Sequence, residues 1–435
     1  MNSLTIDLNT VWVVLTAAMI FFMEGGFALL EAGFVQSKNS MSIVMKVFVD
    51  LIVGVMAFYA VGFGLMFGKD HIGLIGLSDF FLHGRIQHLH LQIPLGAFWF
   101  FHAAFVVAAV SIVSGAVAER MNFKAYVLLT AIFTALIYPI SGHWVWGSGG
   151  WLARLGMEDF AGSGVIHAMA GMAAFVAAAM VGPRAGKYRE DGSANVIAPS
   201  NLPLAAIGTF VLWFGWFGFN AGSTLSATSG NIGHIVETTL LASVAGGAAT
   251  MFYTLFRFGK ADPGATINGI LAGLVAITAG CAYVGSVSAL IIGALSGFAM
   301  MWVTGLVDKI HVDDPVGAVA VHGAGGVVGV LAVGLFASHG GLLTTGSWHL
   351  LGVQSLGAVV LVGWGMLATF AGLKLVSLIV PLRVSKEDEA MGLDIASHGT
   401  VSYQLVTEIS THRHHHASDE KRTTASGRTV VSAGE

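Results

Sequence analysis

The chain has 435 residues, a formal net charge of −4, 55% hydrophobic and only 10% charged residues, and a mean hydropathy of +0.78. Soluble domains carry about 25% charged residues, so this composition excludes an ordinary soluble domain and places the chain in a lipid bilayer. Nothing in the charge balance argues for nucleic acid, and the single Cys281 supports neither a disulfide framework nor a cysteine-based metal site. Residues 1–10 lack the basic stretch of a signal peptide, so they are read as an extracellular or periplasmic N-terminus and the apolar run at 11–30 as a retained helix. Further apolar runs follow at 43–67, 93–117, 125–140, 162–182, 202–219, 236–256, 266–283, 287–306, 316–337 and 353–380. Most approach the ~20 residues that span a bilayer. The expected fold is all-α and polytopic, with eleven transmembrane helices and the termini on opposite sides.

Basic residues orient the chain. With the N-terminus outside, 3 Lys and Arg residues fall outside and 17 inside, which predicts an N-out, C-in topology in a cell membrane. The first five helices (11–182) and the next five (202–337) then form halves of opposite orientation, and 353–380 is left as a brace within a membrane domain of 11–382. Residues 383–435 form a C-terminal region on the cytoplasmic side. Its first part, 383–400, is polar around a Gly-Leu-Asp turn and is expected to pack on the inner loops. After about residue 410 the low apolar content predicts disorder.

One spacing occurs in both halves. Asp159 lies eight residues ahead of His167, and Asp314 eight ahead of His322; a glycine follows each histidine by four, at Gly171 and Gly326. Each histidine sits about two turns into an apolar helix, where a titratable group is a functional-site hypothesis by default. Matching positions in inverted halves predict that the two meet near the midplane, as in inverted-repeat transporters. The alternative is that each is interhelical hydrogen-bonding glue. Asp159 and Asp314 are also good helix caps, Asp314 the more so with Pro315 behind it. Glu24 and Glu31, seven apart on one face of the first helix, are read as buried contacts between helices. His83, His88 and His90, like His412 and His414–His416, have no partners at a metal-site spacing and are read as solvated loop residues.

Five ordered segments resemble the ammonium transporter (Amt/MEP/Rh) family. They are Ala118-Glu-Arg120, Asp159-Phe-Ala-Gly with His167, Gly215-Trp-Phe-Gly-Phe-Asn-Ala-Gly-Ser223, Asp313-Asp-Pro315 with His322, and Gly392-Leu-Asp with Ser397-His-Gly399. The likeness covers about residues 10–400. It implies a homotrimer with one pore per subunit, no cofactor, and ammonium or methylammonium as cargo. It also implies an ammonium-binding vestibule of Trp146, Ser223, Phe105 and Phe101, a gate of Phe105 and Phe219, and a twin-histidine pore of His167 and His322. Asp159 would support the cation site without touching it, and a cytoplasmic P-II-type protein would be the regulatory partner. His102, between Phe101 and Phe105, and the length of the tail beyond Gly399 are departures from the family pattern.

Without the resemblance, Trp146, Phe105 and Phe219 read equally as packing or interface aromatics, and Asn220 and Ser223 as a helix terminus. With it, the expected function is recruitment of NH4+ and passage of NH3, with the proton carried through the histidines and net charge movement. Two other readings share the fold: an ammonium sensor that signals through its C-terminal region, and a neutral NH3 channel. An enzyme is not expected, because neither a Gly-x-Ser-x-Gly elbow nor a His-Glu-x-x-His helix occurs.

Overall fold

Hydrocarbon offers no partner to a free backbone group, so apolar runs of this length fold as helices that satisfy themselves. The computed structural model describes residues 3–84 and 87–403. Its apolar helices are, in order, α1 (Ser3–Phe34), α2 (Ser37–Phe67), α3 (Leu95–Ala116), α4 (Phe123–Arg154, broken at 147–150), α5 (Ser163–Val181), α6 (Leu202–Gly222), α7 (Ile232–Phe258), α8 (Pro263–Ile277), α9 (Ser286–Lys309), α10 (Val319–Phe336) and α11 (His349–Ser377). Among the described residues ten are long and apolar enough to cross a membrane; α8, with 15 residues, is the shorter one.

Three boundaries differ from the sequence expectation. Residues 3–10 continue α1 as helix. The run at 125–140 is the middle of a longer helix that reaches Trp146 before it breaks. The run at 266–283 stops being helical after Ile277; just beyond it the chain ahead of α5 pairs with the backbone, Ala161 N–H donating to Thr278 O and Phe160 N–H to Ala279 O, both at 3.1 Å. The expected tail after residue 410, with His412 and His414–His416, lies outside the described residues.

Small residues decide where helices cross. A Cβ on Gly33 of α1 would run into the backbone of Asn201 and Ala205, and one on Gly208 of α6 into the backbone of Gly26 and Leu30. The first helices of the two halves therefore pack backbone to backbone along their length. Several polar groups inside the bundle are partnered across helices. Glu24 and Glu31 of α1 accept from Ser111 (2.8 Å) and Ser114 (2.7 Å) of α3, the interhelix role expected of them. Asp50 of α2 accepts from Tyr126 and Thr130 of α4. Lys46, one of the 17 Lys and Arg residues counted on the inner side, is buried inside α2 and lies 5.4 Å from the Tyr126 ring centre.

At one end of the bundle the loops are knotted by charge. Arg184 forks onto Asp313 (2.8 and 3.0 Å) and reaches Glu119 at 2.5 Å. Glu119 has φ +72, a left-handed conformation that costs a non-glycine residue energy, and Gln36, Asn39 and Arg184 converge on its carboxylate. The C-terminal segment docks here through α12 (Lys386–Met391) and α13 (Leu393–His398). Asp394 accepts the Met41 and Ser42 N–H groups where α2 passes from its 3-10 turn (Ser37–Asn39) into α-helix, and Arg383 pairs with Glu389 at 2.8 Å. This is why a Gly-Leu-Asp turn follows the membrane domain: its carboxylate caps a helix of the opposite end of the sequence.

Candidate functional site

The two Asp-x7-His segments fold alike. Asp159 accepts N–H groups of Gly162, Gly164 and Val165 (3.1, 2.9 and 2.8 Å), and Asp314 those of Gly317 and Val319 (3.1 and 2.7 Å). Gly162 and Gly317 have φ of +114 and +82, which lets each turn fold back onto its carboxylate. Burial pushes the Asp159 carboxyl up to about 6, while the donated N–H groups of Val165, Gly164 and Gly162 pull it down. Each helix then opens with a π-helical turn, Ser163–Ala168 in α5 and Val319–Ala324 in α10. Such turns recur at functional sites, and here each carries a histidine.

Those turns bring the histidines together. His167 Nδ1 and His322 Nδ1 are 3.1 Å apart, their rings stacked at 5.2 Å between centroids, and both are buried. The glycines four residues on make the crossing possible. A Cβ on Gly171 would collide with the backbone of Gly323, and one on Gly326 with that of Ala168. Among the described residues His167 Nε2 has no hydrogen-bond partner.

Aromatic rings continue the line of the pair in one direction. Phe219 lies 5.7 Å from His167, and Phe105 stacks on Phe219 at 4.3 Å and 22°. Beyond Phe105 is a cavity of about 350 Å³ whose walls include Phe101, His102, Phe105, Trp146, Phe160 and Ser223. Trp146 is held over it by an Nε1–H bond to Asp159 O at 2.8 Å. Ser223 donates its hydroxyl to Phe219 O, which leaves its lone pairs as acceptors. Trp146, Ser223, Phe105 and Phe101 thus share one cavity, Phe219 closes its floor, and His167 and His322 lie beneath. Asp159 does not line it. In the other direction a narrow space bordered by His322, Phe27 and Glu31 leads on, by the shared wall residues Asn268 and Val316, to a cavity of about 420 Å³.

The pattern defining the Ammonium Transporter Family matches residues 11–403. The chain belongs to the ammonium transporter family. It is 43% identical to "Ammonium transporter Amt2" of Archaeoglobus fulgidus over 92% of this chain and 88% of that one. It is 34% identical to "Ammonium transporter 1 member 3" of Solanum lycopersicum over 94% and 96% of the two chains. The structure of a "Sensor Amt Protein" superposes with a TM-score of 0.86 at 42% identity, covering 92% of this chain and all of that one. Mep2 of Candida albicans superposes with a TM-score of 0.81 at 27% identity, covering 88% and 87%.

In this ammonium transporter family member two aromatic residues against the histidine pair were not singled out from sequence. Trp216 stacks on His167 at 5.1 Å and 20°, and Phe27 lies 6.5 Å from His322. Each histidine is thus covered by an aromatic from the first helix of the opposite half. For Trp216 a signal existed, since it lies three residues before Phe219 and so shares its helix face. For Phe27 there was none, one phenylalanine among 28.

Proposed function

We propose that this chain carries ammonium across the membrane by separating NH4+ into NH3 and a proton. The observation that carries the reading is the 3.1 Å histidine pair lying beneath the stacked Phe105 and Phe219. A dehydrated cation gains only ~2 kcal/mol from an aromatic face, far less than the cost of an isolated ion in hydrocarbon. Trp146, Phe101 and Phe105 with the Ser223 hydroxyl suit recruitment of NH4+; the closed Phe pair and apolar pore suit passage of NH3 alone. The proton then needs its own carrier, and paired imidazoles hydrogen-bonded to one another are that carrier. Net transport is electrogenic, N-out and C-in, across eleven helices in a cell membrane. A homotrimer with a pore in each subunit, and a P-II-type protein docking on the inner face, complete the reading by analogy of fold.

A charge-movement recording in proteoliposomes after an ammonium jump tests it. A saturable current in the native protein should disappear in the His167→Ala, His322→Ala double variant. A neutral NH3 channel predicts ammonia entry with no current in either. The likeness to the "Sensor Amt Protein" at 42% identity favours one further reading, ammonium binding with signalling through the C-terminal region. That reading predicts saturable ammonium binding with neither current nor ammonia entry.

A further inference from the structure

On the side of the pore away from the Phe pair, one ionisable group other than His322 borders the narrow space below it. This is Glu31, which the fold otherwise uses only as a contact between α1 and α3. We propose that Glu31 is the proton acceptor at the inner end of the histidine pair, an inference that rests on the ammonium-splitting reading above.

Three observations carry it. First, His322 spends Nδ1 on His167, so Nε2 is the nitrogen left to release a proton. Second, the space between is small, about 10 Å³, near the lower bound for a single water, and its other walls are almost wholly apolar. Its one amide, Asn268, already donates to Val316 O at 3.1 Å. A proton leaving His322 this way meets no other base. Third, room is kept for the carboxylate. Gly115 faces it, and a Cβ there would press on Val316 and stand 3.2 Å from Glu31 Oε1. The Ser114 hydroxyl lies 2.7 Å from both carboxylate oxygens but has one proton to give, so Glu31 retains lone pairs able to take another.

In the step, the His322 Nε2–H bond breaks and an O–H bond forms on Glu31 through the intervening water. That O–H bond then breaks toward water in the wider cavity that shares Asn268 and Val316, and His322 returns to its neutral form. Glu31 is chemically spent in neither direction.

The test is the charge moved per ammonia delivered, read in proteoliposomes from paired current and internal-pH traces. Glu31→Gln keeps the size of the side chain and an oxygen for Ser114 but cannot accept the proton. Its current should fall at least tenfold, and any ammonia that still enters should do so as the neutral gas, so that the charge moved per ammonia collapses. Glu31→Asp should restore more current than Glu31→Gln. A native-like charge ratio in Glu31→Gln overturns the inference, as does equal loss in both variants when both fold. Absence of current in the native protein would instead overturn the parent reading, so the two failures are distinguishable.

Discussion

Asp159 is 4% exposed and accepts three backbone N–H groups, whereas Asp314 is half-buried, accepts two, and lines the 420 Å³ cavity beside Arg184 and Lys187. The two halves use one device, a carboxylate that caps a glycine turn and so sets a π-helical turn and its histidine. They set it in different surroundings. Sealed in protein, the Asp159 carboxylate must find every partner within the fold. At the cavity, Asp314 shares its field with cations and with solvent, and the rigidity of its loop comes instead from the neighbouring Asp313 and Arg184. A shared motif therefore predicts shared geometry but not shared energetics.

The largest effect should come from removing the support peculiar to the α10 side. Arg184→Ala leaves two buried carboxylates, Asp313 and Glu119, without their cation, and should cost ~3–5 kcal/mol in unfolding free energy. It should also remove an acid limb. Burial alone would raise the Asp313 carboxyl, but its bonds to Arg184 hold it below the ordinary aspartate value. Its contribution is thus fully present above pH ~4 and lost as pH falls through the lowered value. Thermal unfolding in detergent across pH 3–7 checks both; a stability profile in Arg184→Ala parallel to native would mean the knot is idle.

Next in size is the comparison of caps. The difference between them sets the size: Asp159→Ala frees one more N–H than Asp314→Ala and in a drier site, so it should cost ~1–3 kcal/mol more. Equal losses would erase the distinction between sealed and open. Because the folded Asp159 carboxyl sits at about 6, above its unfolded value, the folded state takes up a proton more readily between those limits. Stability should therefore decline as pH rises toward 6, and Asp159→Asn should flatten that decline.

The smallest effect sharpens what the halves share. Gly171→Ala and Gly326→Ala each push a methyl into the other helix, and overpacking of this kind costs ~1–3 kcal/mol. The two should lose similar stability and similar ammonium-driven current. A clear difference between them would show that the crossing is not symmetric.

Much of this protein was legible without coordinates because a bilayer is a harsh solvent. It demands long apolar helices, and it makes two histidines at equal distances from two aspartates conspicuous among 17. The capping role of both aspartates follows from residue chemistry alone, as does the pairing of Glu24 and Glu31 with a neighbouring helix. The tertiary structure alone decided which faces meet. A linear pattern does not encode rotation about a helix axis, so the π-helical turns that aim the imidazoles at each other left no mark in it. Nor did the reciprocal cover of Trp216 on His167 and Phe27 near His322, or the early end of α8, beyond which the backbone pairs with a segment more than a hundred residues away. Glu31 shows the same limit. Its place on one face of α1 could be read from sequence, but only the packing of α1 against α3 and α10 put that face beside the narrow space bordered by His322.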